Sequence, residues 1–249
     1  MPSKVCLVTI AIGDKYLQQY NTLFRKSQET YAKKHGYDFK VIPDYIDKTI
    51  KHPHTVSLNK ILVCSCPWSK EYEYVIFVDA DILINPNSPP IDFSTLGNRI
   101  GCVSQNQPDL QARLLLQEFR GYERTAKDYY KLKSDHDIET DYIINTGVLV
   151  LQPNKHRKVL EEIYYRYVNK QINNKNGFHF EQSVIGYELQ KKKLDCLIDM
   201  KWNALWANNK IYYNDIKKQP LTLQDFFDQN YFIHFAGNFE YNLIPTLTF

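Results

Sequence analysis

The chain opens with two strand-like runs separated by one helical stretch, and this order limits the fold more than any other feature. Residues 5–12 are apolar and mostly β-branched, and Gly13 interrupts them. Aromatic and apolar side chains then recur at spacings of three, four and seven over residues 16–35, which predicts one helix that ends at Gly36. Residues 38–42 predict a second strand. This β-α-β order predicts a parallel sheet with helices on its faces.

The rest of the chain continues the α/β pattern. It predicts a helix over 58–66, strands over 74–78, 99–104 and 142–151, and helices over 156–170 and 180–190. Residues 105–140 are charged, aromatic and weakly periodic, which indicates a helical excursion outside the sheet, and 173–177 are a loop by composition. No internal repeat and no interdomain linker is present, so we expect a single domain.

The composition excludes several classes of protein. The 31 basic and 28 acidic residues are interleaved and give a net charge of +3, whereas a nucleic-acid binder concentrates its basic residues. No uncharged apolar run approaches the ~20 residues of a membrane helix, and the apolar N-terminal run lacks a signal-peptide cleavage site. The five cysteines have no zinc-site spacing and fit reduced, buried thiols. We therefore expect a soluble, cytoplasmic protein.

The segment YVIFVDADILINP carries the strongest chemical signal. Asp79 and Asp81 follow a wholly apolar run and are separated by the small residue Ala80. In an extended chain residues i and i+2 point to the same side, so both carboxylates face the crevice beyond a strand end, where open α/β sheets bind ligands. Two adjacent carboxylates repel unless a cation lies between them, and oxygen ligands suit Mg²⁺ or Mn²⁺. The pair therefore predicts a divalent metal site that can bridge to phosphate.

An Asp-x-Asp pair after a hydrophobic strand is typical of two enzyme classes. Haloacid-dehalogenase-type phosphatases carry the pair near the N-terminus and follow it with residues unlike Ile82 and Leu83. Nucleotide-sugar glycosyltransferases use the pair to hold a metal against a pyrophosphate. The pair alone leaves both classes open.

Five segments in one order along the chain, the acidic pair's own segment among them, favour the second class. VTIAIGDKY, DADILINP, INTGVLVLQPNK, FEQS and IHFAG span residues 8–237, and the series resembles the glycogenin and bacterial lipopolysaccharide galactosyltransferase family of retaining glycosyltransferases. YAKKHGYDFKVI is similar to the fungal galactosyl/mannosyltransferases and the plant xyloglucan xylosyltransferases. The resemblance implies a single-domain, Rossmann-like glycosyltransferase A fold, with a mostly parallel sheet and helices on both faces. Residues 1–104 would bind the nucleotide sugar, and 105–249 would form the acceptor side and complete the metal site.

The resemblance also implies roles for residues on the nucleotide side. The end of the first strand would line the nucleotide with its backbone at Ile10, Ala11, Ile12 and Gly13. Tyr16 would stack on or flank the base, and Lys60 occupies the place of a basic residue near the donor. Ala80 is small, so the ribose could approach the backbone.

Two more matches concern the donor sugar. Asn145, Thr146 and Gly147 predict a polar turn that breaks the strand, and the family places donor-sugar contacts there. Glu181 and Gln182 match an Asp-Gln pair that lies near the reacting carbon in retaining members, with a longer acidic side chain in this chain.

The IHFAG segment matches a His-Phe-x-Gly motif, which implies that His234 is the third metal ligand and that Gly237 belongs to the donor site. An imidazole ligand favours Mn²⁺ over Mg²⁺. Relatives often carry a phosphate-binding lysine three residues beyond this glycine, where this chain has Glu240. Another basic residue would then bind the pyrophosphate, or its binding would depend more on the metal.

These features together predict a metal-dependent glycosyltransferase. It would transfer a sugar from a nucleotide diphosphate sugar, a UDP-hexose first of all, to a carbohydrate or other hydroxyl acceptor, with retention and with Mn²⁺ or Mg²⁺ as cofactor. The alternatives are a haloacid-dehalogenase-like phosphatase and a non-catalytic carbohydrate-binding protein of the same fold. The intact set of Asp79, Asp81 and His234 argues against the non-catalytic alternative.

Overall fold

A six-stranded sheet forms the centre of the molecule in the computed structural model, which describes residues 4–174 and 180–248. The strands of the described ranges are β1 (Val5–Ile10), β2 (Asp38–Ile42), β3 (Tyr74–Val78), β4 (Ile82–Ile84), β5 (Ile100–Ser104), β6 (Ile144–Leu151), β7 (Asp195–Leu197), β8 (Ala204–Leu205) and β9 (Phe232–His234). The α-helices are α1 (Asp14–Leu23), α2 (Arg25–Lys34), α3 (Leu110–Arg120), α4 (Ala126–Ser134), α5 (Pro153–Ile172), α6 (Phe180–Lys191), α7 (Trp206–Lys210) and α8 (Leu223–Gln229).

The central sheet is mostly parallel and has the order β2-β1-β3-β6-β5-β7. Strand β1 pairs in parallel with β2 and β3, and β7 pairs in parallel with β5, whereas β6 runs antiparallel to both β3 and β5. A second, three-stranded sheet has the order β4-β9-β8. Because β4 starts just after β3, the second sheet begins where the central sheet ends.

Both faces of the central sheet are covered, as expected for an α/β fold whose inner strands are apolar throughout. Alternate residues of β1 contribute to two different hydrophobic cores because side chains alternate along a strand. Cys6 and Val8 pack in the core that includes the side chains of α5, and Val5 and Leu7 pack in the core that includes Tyr31 of α2. The sheet is therefore held between two apolar layers.

The predicted strands at 38–42 and 74–78 are confirmed, but the single helix predicted over 16–35 is wrong. One helix ends at Leu23 and a second starts at Arg25, because the backbone is kinked at Phe24, where φ is −117° while ψ keeps a helical value of −37°. The Phe24 side chain is 1% exposed and packs edge-on against Tyr241, with 5.1 Å between ring centroids. Burial of this ring against the C-terminal segment outweighs the continuity of the helix.

Other predicted elements are present with changed type or bounds. The helix predicted over 58–66 is a 3₁₀ helix, Ser57–Ser65, and the predicted excursion contains α3 and α4. Residues 175–177 of the predicted loop lie outside the described residues. The strands of the second sheet are two or three residues long, so they leave no periodic pattern that the sequence analysis could detect.

The helices and cysteines give two further findings. No helix within the described ranges combines the length and the apolar character needed to cross a membrane. All five cysteines are free thiols, and four of them are buried.

Candidate active site

The acidic pair lies between the two sheets, where the chain passes from β3 to β4. The backbone N–H of Asp79 donates to the carbonyl of Gly147 on β6 at 2.7 Å. The backbone N–H of Phe235 donates to the carbonyl of Asp81 at 3.0 Å, and Ile82 pairs with His234 in the register of β4 and β9. This pairing brings Asp81 and His234, which are 153 positions apart in the sequence, to one point.

Asp79, Asp81 and His234 form one cluster. Each of the three offers a ligand atom within 4.8 Å of the others. The imidazole Nε2 lies 3.3 Å from Oδ1 of Asp81 and 4.0 Å from Oδ2 of Asp79. Two carboxylates and an imidazole are donors that divalent metal ions accept. The predicted ligands therefore fit a divalent cation.

The protonation of Asp81 and His234 follows from their contact. Burial by itself would raise the pKa of the Asp81 carboxyl, but the facing imidazole and its hydrogen bond hold this pKa below its usual range. Burial would lower the pKa of His234, and the Asp81 carboxylate outweighs it and raises the imidazole pKa above its ordinary value. A positive charge is thus favoured between these two groups, as a proton or as a metal ion.

Lys60 is a buried cation beside Asp79. Its Nζ lies 2.9 Å from Oδ1 of Asp79 and 3.4 Å from the carbonyl and the hydroxyl of Thr146, and only 4% of its side chain is exposed. Burial would lower the pKa of this ammonium, but the negative charges of Asp79 and Glu181 raise it. Lys60 therefore stays charged and holds one side of the Asp79 carboxylate.

Asn145, Thr146 and Gly147 do not form the predicted turn. They lie inside β6, where its register with β5 shifts between Cys102 and Val103, so the polar break takes the form of a bulge. A Cβ on Gly147 would lie 2.6 Å from Cε1 and Nδ1 of His234. The ring of His234 thus accounts for the glycine, and a contact of Gly147 with a donor stays a prediction.

Two tyrosines face the carboxylates. Burial, followed by the charges of Asp81 and Asp79, raises the pKa of the Tyr16 and Tyr241 hydroxyls, so both remain neutral. Sequence analysis singled out Tyr16 but missed Tyr241, which lies in a C-terminal segment of 3₁₀ helix with no motif around it.

Glu181 and Gln182 begin helix α6 at the edge of the same cleft. Glu181 is half-buried, but its Oε2 atom is fully buried with no hydrogen-bond partner, and desolvation raises the pKa of its carboxyl. The Gln182 amide Nε2 donates to Oε1 of Gln105 at 2.7 Å and to the hydroxyl of Tyr129 at 3.0 Å. Gln105 and Tyr129 therefore set the orientation of Gln182, a role that no motif in the sequence marks.

Two cavities meet at the acidic pair. One, of about 580 Å³, is lined by residues that include Ile10, Tyr16, Lys60 and Ala80. The other, of about 680 Å³, is lined by residues that include Arg120, Tyr122, Asn145, Thr146, Gln182 and His234. Asp79, Asp81, Glu181 and Gly237 line both cavities. Ala11, Ile12, Gly13 and Gly147 are outside both linings, and Ala11 is fully buried in the core.

Glu240 does not face a phosphate site. Its carboxylate forms an ion pair with Lys210 and accepts a hydrogen bond from Nε1 of Trp206 at 2.9 Å. Glu240 lines neither cavity, whereas Lys60 lines the cavity that contains Tyr16 and has its Nζ beside Asp79.

Comparison with known proteins identifies the family of the chain. Residues 2–240 match the sequence profile of glycosyl transferase family 8, and the chain belongs to this family. It is therefore a glycosyltransferase that acts on nucleotide sugars, and the phosphatase alternative is set aside. No curated protein sequence matches the chain at a significant level.

Solved structures of glycosyltransferases share the fold. A glycosyltransferase involved in the glycosylation of the major capsid of PBCV-1 superposes with a TM-score of 0.61 at 14% identity, over 98% of this chain and 100% of that one. The galactosyltransferase LgtC in complex with donor and acceptor sugar analogs superposes with a TM-score of 0.54 at 14% identity, over 98% of this chain and 96% of that one. The bifunctional glycosyltransferase WbbM superposes with a TM-score of 0.56 at 15% identity, over 95% of this chain and 46% of that one. The predicted single-domain glycosyltransferase A fold is confirmed.

Proposed function

We propose that this enzyme transfers a hexosyl group from a UDP-sugar to a carbohydrate hydroxyl, that it depends on Mn²⁺, and that the transfer retains the configuration of the anomeric carbon. The observation that carries the proposal is the convergence of Asp79, Asp81 and His234 at the junction of two cavities. A metal at this point would touch a ligand that extends into either cavity.

The two cavities suggest where each substrate binds. The donor nucleotide occupies the cavity with Tyr16 and Lys60, because it combines an aromatic wall with a buried cation near the carboxylates. The acceptor enters the other cavity, where Tyr122 is 60% exposed and offers an aromatic face to a sugar ring. LgtC, which shares the fold, was solved with donor and acceptor sugar analogs together.

The two halves of the chain correspond to the two substrates. Residues 1–104 supply Lys60, Asp79 and Asp81 and form the nucleotide-sugar half, and residues 105–249 supply His234 and form the acceptor side. Asp79, Asp81 and His234 would hold the divalent cation, which when bound acts as a Lewis acid on the leaving diphosphate. Lys60 holds the Asp79 carboxylate in its orientation for this task.

Glu181 and Gln182 act on the donor sugar. The unpartnered Oε2 of Glu181 is an acceptor available to a sugar hydroxyl, and burying it without a partner costs free energy that a bound ligand would offset. Gln182, held by Gln105 and Tyr129, lines the acceptor cavity beside it. The pair thus lies where the two substrates would meet.

A screen of nucleotide sugars tests the proposal. Thermal unfolding is measured with each nucleotide sugar, with and without Mn²⁺, because a ligand that binds the folded state raises the apparent stability by mass action. We expect UDP-sugars to stabilise the wild-type enzyme only with Mn²⁺, and the stabilising donor to be hydrolysed slowly or transferred to oligosaccharides. Equal stabilisation without metal, or by no nucleotide sugar, contradicts the proposal. The anomeric configuration of the product, read by NMR, tests retention.

A further inference from the structure

A chain of amide hydrogen bonds runs from the backbone of β6 to the imidazole of His234. The backbone N–H of Gly147 donates to Oδ1 of Asn145 at 2.9 Å. The same oxygen accepts a hydrogen bond from Nδ2 of Asn203 at 2.7 Å. Oδ1 of Asn203 lies 2.9 Å from Nδ1 of His234. Three buried side chains thus link a backbone donor to one face of the proposed metal site.

The backbone N–H of Gly147 determines the orientation of each side-chain amide in this series of hydrogen bonds. A backbone N–H can only donate, so the Asn145 atom that faces it must be the carbonyl oxygen. The Asn203 atom that faces this oxygen must then be the NH₂ group, which leaves the Asn203 carbonyl oxygen toward His234. An amide oxygen can only accept, so Nδ1 of His234 must carry a proton.

The position of Asn203 is itself held firmly. Asn203 is fully buried and directly precedes strand β8, which pairs with β9 next to His234. The backbone carbonyl of Asn203 accepts a hydrogen bond from Nε2 of Gln107 at 2.8 Å, and Oε1 of Gln107 accepts one from the backbone N–H of Leu205 at 2.8 Å. The Asn203 amide therefore has little freedom to turn away from the ring.

We propose that Asn203 is a positioning residue of the metal site, which together with Asn145 holds neutral His234 as the Nδ1–H tautomer, with the Nε2 lone pair toward Asp79 and Asp81. The opposite tautomer would donate Nε2–H to Asp81 at 3.3 Å and block the site. The inference rests on the proposed metal site. It assigns a function to two residues outside the ligand set, because partners of this kind set ligand orientation and basicity.

Long-range ¹H–¹⁵N correlation spectra of the histidine rings test the tautomer directly in the metal-free, full-length enzyme. The signal of His234 is identified among the seven histidines by its loss in His234→Gln. Spectra are recorded at a pH well above the titration midpoint of that signal. We expect the proton on Nδ1 in the wild type. A wild-type His234 that carries its proton on Nε2 overturns the inference, whatever the metal affinity.

Variants at Asn203 test the consequence for metal binding, with Mn²⁺ affinity measured by calorimetry in the absence of nucleotide. Asn203→Leu, similar in size but unable to accept, is expected to shift the tautomer toward Nε2–H and to lower the Mn²⁺ affinity ~10–100-fold. Asn203→Asp loses the donor to Asn145 but keeps an oxygen that accepts from Nδ1, so the Nδ1–H tautomer is expected to persist. A folded Asn203→Leu with wild-type tautomer and wild-type affinity overturns the proposal.

Asn85→Leu is the matched control. Asn85 is also buried, and its amide donates to the carbonyl of Phe227 at 2.8 Å at the far end of β4 from Asp81. This variant is expected to lose stability and to keep the wild-type tautomer and Mn²⁺ affinity. An equal loss of affinity in Asn85→Leu contradicts a specific role for Asn203. If Asn203→Leu does not fold, the wild-type and Asn203→Asp spectra decide. If the wild type binds no Mn²⁺, the proposed metal site is contradicted. The tautomer of His234 still tests whether the hydrogen bonds through Asn145 and Asn203 orient the ring.

Discussion

Lys60 places its ammonium nitrogen 2.9 Å from Oδ1 of Asp79, while only 4% of the lysine side chain is exposed. Asp79 therefore balances a buried positive charge in addition to its proposed role as a metal ligand. Among the described residues Asp81 forms no ion pair with a lysine, and it faces His234 instead. The two aspartates of the motif are thus unequal in their contribution to stability, although the sequence treats them alike.

Substitution of either aspartate by asparagine is expected to abolish Mn²⁺-dependent donor binding, because each variant loses a charged ligand. Asp79→Asn should also lower the free energy of unfolding by up to about 3 kcal/mol, since it leaves Lys60 buried without its carboxylate. Asp81→Asn should cost much less. Metal titration and thermal unfolding of the metal-free variants measure both effects, with Asp228→Asn on the surface of α8 as the control for a lost charge. Retained turnover in the variant with both substitutions would contradict the assignment of Asp79 and Asp81 as metal ligands.

Gly147→Ala is expected to displace His234, because the added Cβ would lie 2.6 Å from the ring. We expect a loss of stability of about 1–3 kcal/mol and a weaker Mn²⁺ affinity. Gly101→Ala is the matched control, because its Cβ would lie 2.9 Å from Cβ of Val150 in the core, away from the metal site. The control should lose stability and keep its affinity. Equal effects of the two variants on Mn²⁺ binding would show that overpacking alone weakens the site.

The Mn²⁺ affinity is expected to fall as the pH drops, because a proton and the metal compete for Nε2 of His234. The pKa of His234 is raised above its ordinary value of 6.5, so the decline should begin at a pH above 6.5. His234→Gln should bind Mn²⁺ more weakly and remove this part of the pH dependence. Calorimetric titrations at two pH values on either side of neutrality check this, with the fold verified separately. A folded His234→Gln with unchanged affinity would leave only the aspartates in the site.

The stability of the metal-free enzyme should follow the opposite trend with pH. A group whose pKa is raised on folding stabilises the folded state fully below its unfolded pKa of about 6.5, and the effect is lost as the pH rises through the folded pKa. The contact of His234 with Asp81 should therefore make the metal-free wild type less stable as the pH rises above about 6.5, and His234→Gln should flatten this slope. Denaturant unfolding without metal at several pH values measures it. The same slope in both proteins would assign it to other groups.

Gln182→Ala is expected to lower kcat by about 10²-fold and to leave the affinity for UDP close to that of the wild type. A contact made mainly in the transition state gives this pattern. Gln105→Leu should lower kcat less, because it only frees the Gln182 amide to turn. Gln190→Ala, on the same helix but bonded to Tyr130 and Tyr142, is the control and should keep kcat. An equal loss of UDP affinity in Gln182→Ala would place the residue at the nucleotide instead.

The sequence by itself determined the elements whose signal is local. Strands 38–42 and 74–78 are short runs with clear ends, and the acidic pair follows the second of them, so their positions could be predicted from neighbouring residues alone. The helix that contains Glu181 and Gln182 could be predicted in the same way, but the choice of these two residues came from the family resemblance. His234 came from a family motif, because an apolar run around a histidine is equally consistent with a core residue.

Only the tertiary structure decided how distant segments combine. The break at Phe24 depends on a C-terminal tyrosine, and the bulge at 145–147 depends on how β5 and β6 align. Asn203 reaches His234 only because β8 pairs with β9. Strands of two or three residues carry no periodicity, so nothing in their own sequence marks the second sheet. What places them is pairing between segments far apart in the chain, which exists only once the chain has folded.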